Sequence, residues 1–148
     1  MNIKAILPTL VLIATFSVAN AQFGKIPTEA TNAFQKKYPE ASNVSWKSRL
    51  ASYKAEFDMD KQHYTAEFNS KGQWEKTEAK LTYDKLPTEI SDGLHKSLYS
   101  NWEFTEIMKV DEKEKDTVYR IRVKKTDLDK KYLFFSTKGQ LIKESRTI

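Results

Sequence analysis

Ile26-Pro27-Thr28-Glu29 and, sixty positions on, Leu86-Pro87-Thr88-Glu89 are one phrase said twice. Each opens a stretch with helical spacing, runs on into alternating aromatic segments, and reaches a Lys-Gly-Gln turn, at Lys71-Gly72-Gln73 and at Lys138-Gly139-Gln140. Proline suits a helix start because its missing N–H would be unpaired there in any case. A threonine beside it can cap exposed amides, and the sequence leaves open whether the first helix starts on Pro27 or Thr28. Behind the first phrase, Ile26, Ala30, Ala33, Phe34 and Tyr38 fall three or four apart as one apolar stripe. Pro39 closes that helix, because the residue before a proline avoids helical angles. Behind the second, Leu86, Ile90, Leu94 and Leu98 form the stripe of a helix from Pro87 to about Tyr99. Gly93 inside it costs up to about 1 kcal/mol against alanine and reads as tolerated.

Period-two alternation follows each helix. In the first unit it runs over Val44–Leu50, then Tyr53, Ala55 and Phe57, then Tyr64, Ala66 and Phe68, then Gln73 to about Leu81. In that last strand Thr77, Ala79 and Leu81 are expected to face the helix, with Trp74, Lys76, Glu78 and Lys80 on the other side. Asp58-Met59-Asp60-Lys61 and Asn69-Ser70-Lys71-Gly72 are the turns between strands, the glycine supplying a positive φ at little cost. The second unit repeats the order over Trp102–Val110, Val118–Lys124, Tyr132–Phe135 and Gln140–Thr147. There Tyr119, Ile121, Val123, Leu133 and Phe135 point inward, and Val118, Arg120, Arg122, Lys124, Tyr132 and Phe134 outward. The pattern predicts an α+β fold, a tandem helix-plus-four-strand repeat. Hairpin connections imply an antiparallel sheet. Two helices packed on one face leave the other open. Whether one sheet runs through both units is left open.

Residues 1–21 read as a signal peptide: Lys4 precedes the apolar run Ala5–Ala19, and Ala19-Asn20-Ala21 fits small-x-small cleavage before Gln22. The run spans about 22 Å as a helix, short of a bilayer core of roughly 30 Å. The mature chain divides into units 22–84 and 85–148, expected to form one compact domain. With no cysteine, an exported chain has no disulfides, no thiol nucleophile and no thiolate metal site, and its stability rests on packing and strand pairing. The net charge is +5, with acids and bases interleaved as on a solvated surface rather than concentrated in the basic stripe of a nucleic-acid binder.

The doubled apolar-Pro-Thr-Glu start, the aromatic strands and the hairpin glycines resemble the PepSY-like secreted proteins, a β-lactamase-inhibitor-like family. The resemblance rests on Ile26-Pro27, Phe34, Trp46, Tyr53, Phe57, Phe68 and Gly72, and on Leu86-Pro87, Tyr119, Val123, Phe135 and Gly139. It covers about Ile26 to Thr147. It implies a curved antiparallel sheet backed by two helices. In the β-lactamase inhibitor protein the concave face grips another protein, and the wider PepSY group is associated with inhibiting peptidases outside the cytoplasm. This chain lacks the inhibitor's disulfides and carries no motif matching its contact residues.

Catalytic and metal patterns are sparse. His63 and His95 lie on different elements without zinc-ligand spacing, and no Gly-x-Ser-x-Gly elbow or phosphate loop occurs. Asp58/Asp60 and Asp127/Asp129 lack the ligand number of a calcium loop and read as polar hairpin tips. Glu56 and Glu67, expected side by side on the open face, lack the pocket that paired-carboxylate chemistry needs. The outward set Trp74, Arg120, Arg122, Tyr132 and Phe134, with Lys54, Glu56 and Glu67 nearby, is the candidate binding surface, since Trp, Tyr and Arg dominate binding hot spots. The sequence thus predicts a periplasmic or secreted binding module, not an enzyme. It carries no cofactor or metal, and its partner is a protein such as an envelope or secreted enzyme. The alternative is a glycan or small-ligand binder using the same aromatics.

Overall fold

The computed structural model describes residues 25–147; the signal peptide expected over residues 1–21 lies outside them. The order is α1 (Thr28–Lys37), β1 (Ser42–Ser48), β2 (Ser52–Met59), β3 (Gln62–Asn69), β4 (Trp74–Leu81), a short 3-10 turn at Tyr83–Lys85, α2 (Thr88–His95), β5 (Glu103–Glu112), β6 (Val118–Lys124), β7 (Lys130–Ser136) and β8 (Leu141–Arg146). All eight strands form one sheet in chain order. Every neighbouring pair is antiparallel. The two units join through β4 and β5, paired from Lys76↔Glu112 to Leu81↔Ile107. None of the described helices is long and apolar enough to cross a membrane.

Each helix covers its own four strands. Under α1 the core is aromatic: Phe34 meets Phe57, Tyr38 and Trp46 at ring-centroid distances of 5.0, 5.3 and 5.4 Å. Ala55 and Ala66, cross-strand partners without exposure, leave room for those rings. Under α2 the core is mainly aliphatic, built on Ile90, Leu94, Ile121, Val123 and Leu133 with Phe135. Fully burying side chains of this size contributes about 1.5–3 kcal/mol each, which is how a chain without disulfides holds together.

The helix starts differ in detail from the threonine cap the sequence allows. Pro27 and Pro87 occupy the cap positions and supply no side-chain hydrogen bond; their carbonyls accept the amides of Ala30 and Thr31, and of Ile90 and Ser91. The hairpin glycines press against these first turns. Gly72 and Gly139 have φ of +75° and +76°, and a Cβ on Gly139 would stand 1.9 Å from the Glu89 carbonyl oxygen. Gly93 is not merely tolerated: a Cβ there would stand 2.0 Å from the Gly139 carbonyl oxygen, so α2 lies on its hairpin only because residue 93 has no side chain.

The second helix is shorter than its apolar spacing predicts. It stops at His95 because Ser97 turns its hydroxyl onto the Leu94 carbonyl (2.7 Å) and accepts the Tyr99 amide (3.1 Å), offering the backbone an alternative to another helical turn. Leu98, predicted in the stripe, is therefore exposed, and Tyr99 is buried instead.

Candidate functional site

The sheet face away from the helices carries the alternate residues of every strand, and cross-strand partners align them into rows. One row reads Ser45–Glu56–Thr65–Glu78–Val110–Val118–Ser136. Beside it runs Lys80–Met108–Arg120–Phe134–Lys143, and then Glu106–Arg122–Tyr132–Ser145. Four of the five predicted site residues, Arg120, Arg122, Tyr132 and Phe134, thus meet as a two-by-two block on β6 and β7.

Trp74, the fifth, is elsewhere. The β3–β4 register shifts between Glu67↔Lys76 and Phe68↔Trp74. This bulge inserts an extra residue and reverses the alternation before Lys76. Trp74 therefore turns to the helix side and packs on the α1 core. Its Nε1 donates to Thr77 Oγ1 at 2.8 Å, and the Lys37 ammonium lies 3.8 Å from its ring centroid. The β7–β8 pair carries the same irregularity between Phe134↔Lys143 and Phe135↔Leu141.

Charges on the first-unit half of the open face neutralise one another. Lys47 donates to Glu56 at 2.7 Å, and this bond, outweighing burial, holds the Glu56 carboxyl below its usual pKa. Burial pushes Glu67 up, but hydrogen bonds from Ser52 and Lys76 and the Lys76 charge prevail, and its pKa also falls. The two acids are not cross-strand partners: Glu56 pairs with Thr65 and Glu67 with Lys54. Both are held ionised, whereas a general acid at neutral pH needs a raised pKa.

On the second-unit half, Arg120 donates from Nη1 to Glu78 Oε1 at 3.0 Å and reaches Glu106 from Nη2 at 4.0 Å, bridging β4 and β6 over β5. Tyr132 lies against both guanidiniums, whose central carbons stand 5.5 and 6.0 Å from its ring centroid. The Lys143 ammonium is 5.4 Å from the Phe134 centroid. The Nε atoms of Arg120 and Arg122 are buried without hydrogen-bond partners. Among the described residues Arg122 forms no salt bridge at all. Next to this block a depression of about 250 Å³ is lined by Val110, Val118, Phe134 and Ile142 together with five charged residues, Glu112, Lys115, Asp116, Arg120 and Lys143.

The remaining candidates are occupied by local bonding. Asp58 accepts from Asn43 and His63, each at 2.9 Å, and Asp127 holds Lys124 at 2.7 Å. His95 Nε2 lies 2.7 Å from the Tyr83 hydroxyl. Among the described residues no three His, Asp or Glu side chains cluster as a metal site would require.

No curated protein matches the sequence. Among solved structures, a DUF2874 family protein from Bacteroides ovatus is 27% identical with a TM-score of 0.77, over 82% of this chain and 88% of its own. A BLIP-like protein from Bacteroides fragilis is 25% identical with a TM-score of 0.78, over 84% of this chain and 89% of its own. A protein from Bacteroides eggerthii, described as periplasmic, shares the fold at 23% identity and a TM-score of 0.73, over 83% of this chain and 90% of its own. The family profile "Putative beta-lactamase-inhibitor-like, PepSY-like" matches residues 51–143, from the β1–β2 turn into β8. The chain belongs to this PepSY-like, beta-lactamase-inhibitor-like family.

Proposed function

We propose that the protein is an exported, non-catalytic binding module that holds another protein, such as an envelope or secreted enzyme, against its open sheet face. The observation that carries this reading is the block of Arg120, Arg122, Tyr132 and Phe134, four large side chains on a face no helix covers, with Arg122 outside every salt bridge among the described residues. Large aromatic and guanidinium side chains of this kind dominate protein-binding surfaces, because they bury much area and keep a polar end that a partner can pair. Family membership supports a binding role, as does the BLIP-like name of the fragilis protein. Export is supported by the apolar leader at 1–21 and by the periplasmic description of the eggerthii protein. A glycan reading is weaker, because sugar rings stack on bare aromatic faces and here cations lie against Tyr132 and Phe134.

Site-specific photo-crosslinking tests the proposal. A photoreactive residue at Thr65 or Ser145, on the open face, should trap a protein from Bacteroides envelope extract, whereas one at Leu98, exposed beyond α2, should not. Equal trapping from Leu98, or none from either open-face position, would overturn the reading.

A further inference from the structure

The two units place different chemistry at equivalent points of the open face. In the first, Glu56 sits opposite Thr65, and Lys47 reaches over to neutralise it. In the second, Arg122 stands in the place of Glu56 and Tyr132 in the place of Thr65; the strand position of Lys47 is taken by Met108. Likewise the Glu67–Lys76 ion pair becomes the Phe134–Lys143 contact. The first half closes its own electrostatics. On the second half Arg120 is taken by Glu78, Lys124 by Asp127 and Lys115 by Glu112, while Arg122, Lys130 and Lys143 have no acidic partner within 4 Å among the described residues.

We propose that this half of the face binds an extended acidic segment of a protein partner, with a carboxylate on Arg122 and an apolar side chain in the depression beside Val118. The inference rests on the open face being the binding surface and names what that surface selects. A guanidinium with a free fork and an aromatic ring beside it is suited to a carboxylate. The neighbouring depression has one apolar side, formed by Val110, Val118, Phe134 and Ile142; of the charges that complete it, Arg120 is held by Glu78 and Lys115 by Glu112, while Asp116 and Lys143 form no salt bridge among the described residues. Arg122 and Val118 lie four residues apart on one strand, about 13 Å at roughly 3.3 Å per residue. An extended ligand along β6 has the same repeat, so an acid at one position and a leucine or phenylalanine four further on both point to the sheet.

The probe is a synthetic eight-residue peptide, Thr/Val-rich, with one glutamate and a leucine four residues later. It is titrated into the mature protein while the arginine Nε–Hε signals are followed by NMR. The Arg122 signal should move on titration, and replacing the peptide's glutamate by glutamine should weaken binding at least tenfold. Arg122→Gln should weaken it to the same degree, and Ile142→Asp, at an exposed wall of the depression, about threefold or more. Equal binding of the glutamate and glutamine peptides would overturn the proposal. So would acetate or inorganic phosphate moving the Arg122 signal at the same concentration as the peptide, which would mark a simple anion site. Should the peptide fail while crosslinking from Thr65 or Ser145 succeeds, the acidic segment is refuted and the binding face stands.

Discussion

Gly93→Ala offers a test in which general propensity and this structure predict opposite signs. In an unobstructed helix the change gains about 1 kcal/mol, because alanine forfeits less backbone entropy. Here the new methyl would stand 2.0 Å from the Gly139 carbonyl oxygen and 2.9 Å from the Gly139 carbonyl carbon. Real contacts of this kind keep at least 3.0 Å, so α2 and the β7–β8 hairpin must part by about 1 Å. The obstacle is backbone on both sides, and no side chain can rotate away. The hairpin cannot yield locally either, since Gly139 already touches Glu89. Separation would loosen Ile90 and Leu94, both wholly buried, over Leu133 and Phe135. Overpacking of this kind costs about 1–3 kcal/mol; a backbone obstacle places Gly93→Ala toward the upper end, a net loss of about 2 kcal/mol. For a domain of this length that lowers Tm by roughly 6–10 °C. Urea unfolding with Asp92→Ala, an exposed helix position, as the control measures it. A variant as stable as wild type, or more stable, would refute the reasoning.

Trp74→Phe should cost about 1–2 kcal/mol in urea unfolding, through loss of the Nε1 bond to Thr77 and of part of the Lys37 contact. Crosslinking from Ser145 should be unchanged, and a loss of trapping at full folding would return Trp74 to the binding surface. Acid should destabilise the protein through Glu56 and Glu67, whose folded pKa values are depressed. A depressed carboxylate contributes stability above its unfolded pKa and loses it as pH falls through the folded one. The urea midpoint should therefore fall from about pH 5 to about pH 3. Lys76→Met, by removing a cause of the Glu67 shift, should make that fall shallower; an unchanged acid limb would show that the pairing does not operate in solution.

Much of this fold was legible in the chain because two periodicities report burial directly. Alternation placed Phe57, Phe68, Ile121 and Leu133 inward, and the doubled Pro-Thr-Glu phrase located both helices. What escaped were events that change parity or end an element through side-chain bonding. The bulge before Lys76 moved Trp74 across the sheet, and nothing in Gln73-Trp74-Glu75 signals an extra residue. Ser97 stopped α2 through hydrogen bonds that apolar spacing does not register. Gly93 looked like a helix defect because its reason, the Gly139 carbonyl, lies 46 positions away. Of the five candidate residues, Arg120, Arg122, Tyr132 and Phe134 lie on the open face as predicted, because the alternation runs unbroken between β6 and β7.

Duplication would let one half of the sheet be given over to the binding proposed above. Both units solve the same packing problem on the helix side, down to a tyrosine after each helix that anchors to the last strand: Tyr38 to Thr77, and Tyr99 to Glu144 at 2.5 Å. The second anchor is reinforced by Lys131, 2.9 Å from the Tyr99 hydroxyl. The faces away from the helices are not bound by that requirement, because solvent accepts any charge pattern that stays hydrated. The first unit uses this freedom for cross-strand pairs that neutralise each other. The second leaves Arg122 unpaired beside Tyr132, which adds nothing to the fold's own cohesion and leaves a buried Nε unsatisfied. The Arg120–Glu78 bridge spans the junction and fixes the unpaired block against the self-neutralised half. In the proposed mode of binding, a ligand would meet Arg122 and Tyr132 already positioned on paired strands backed by α2, leaving little ordering cost for the binding step.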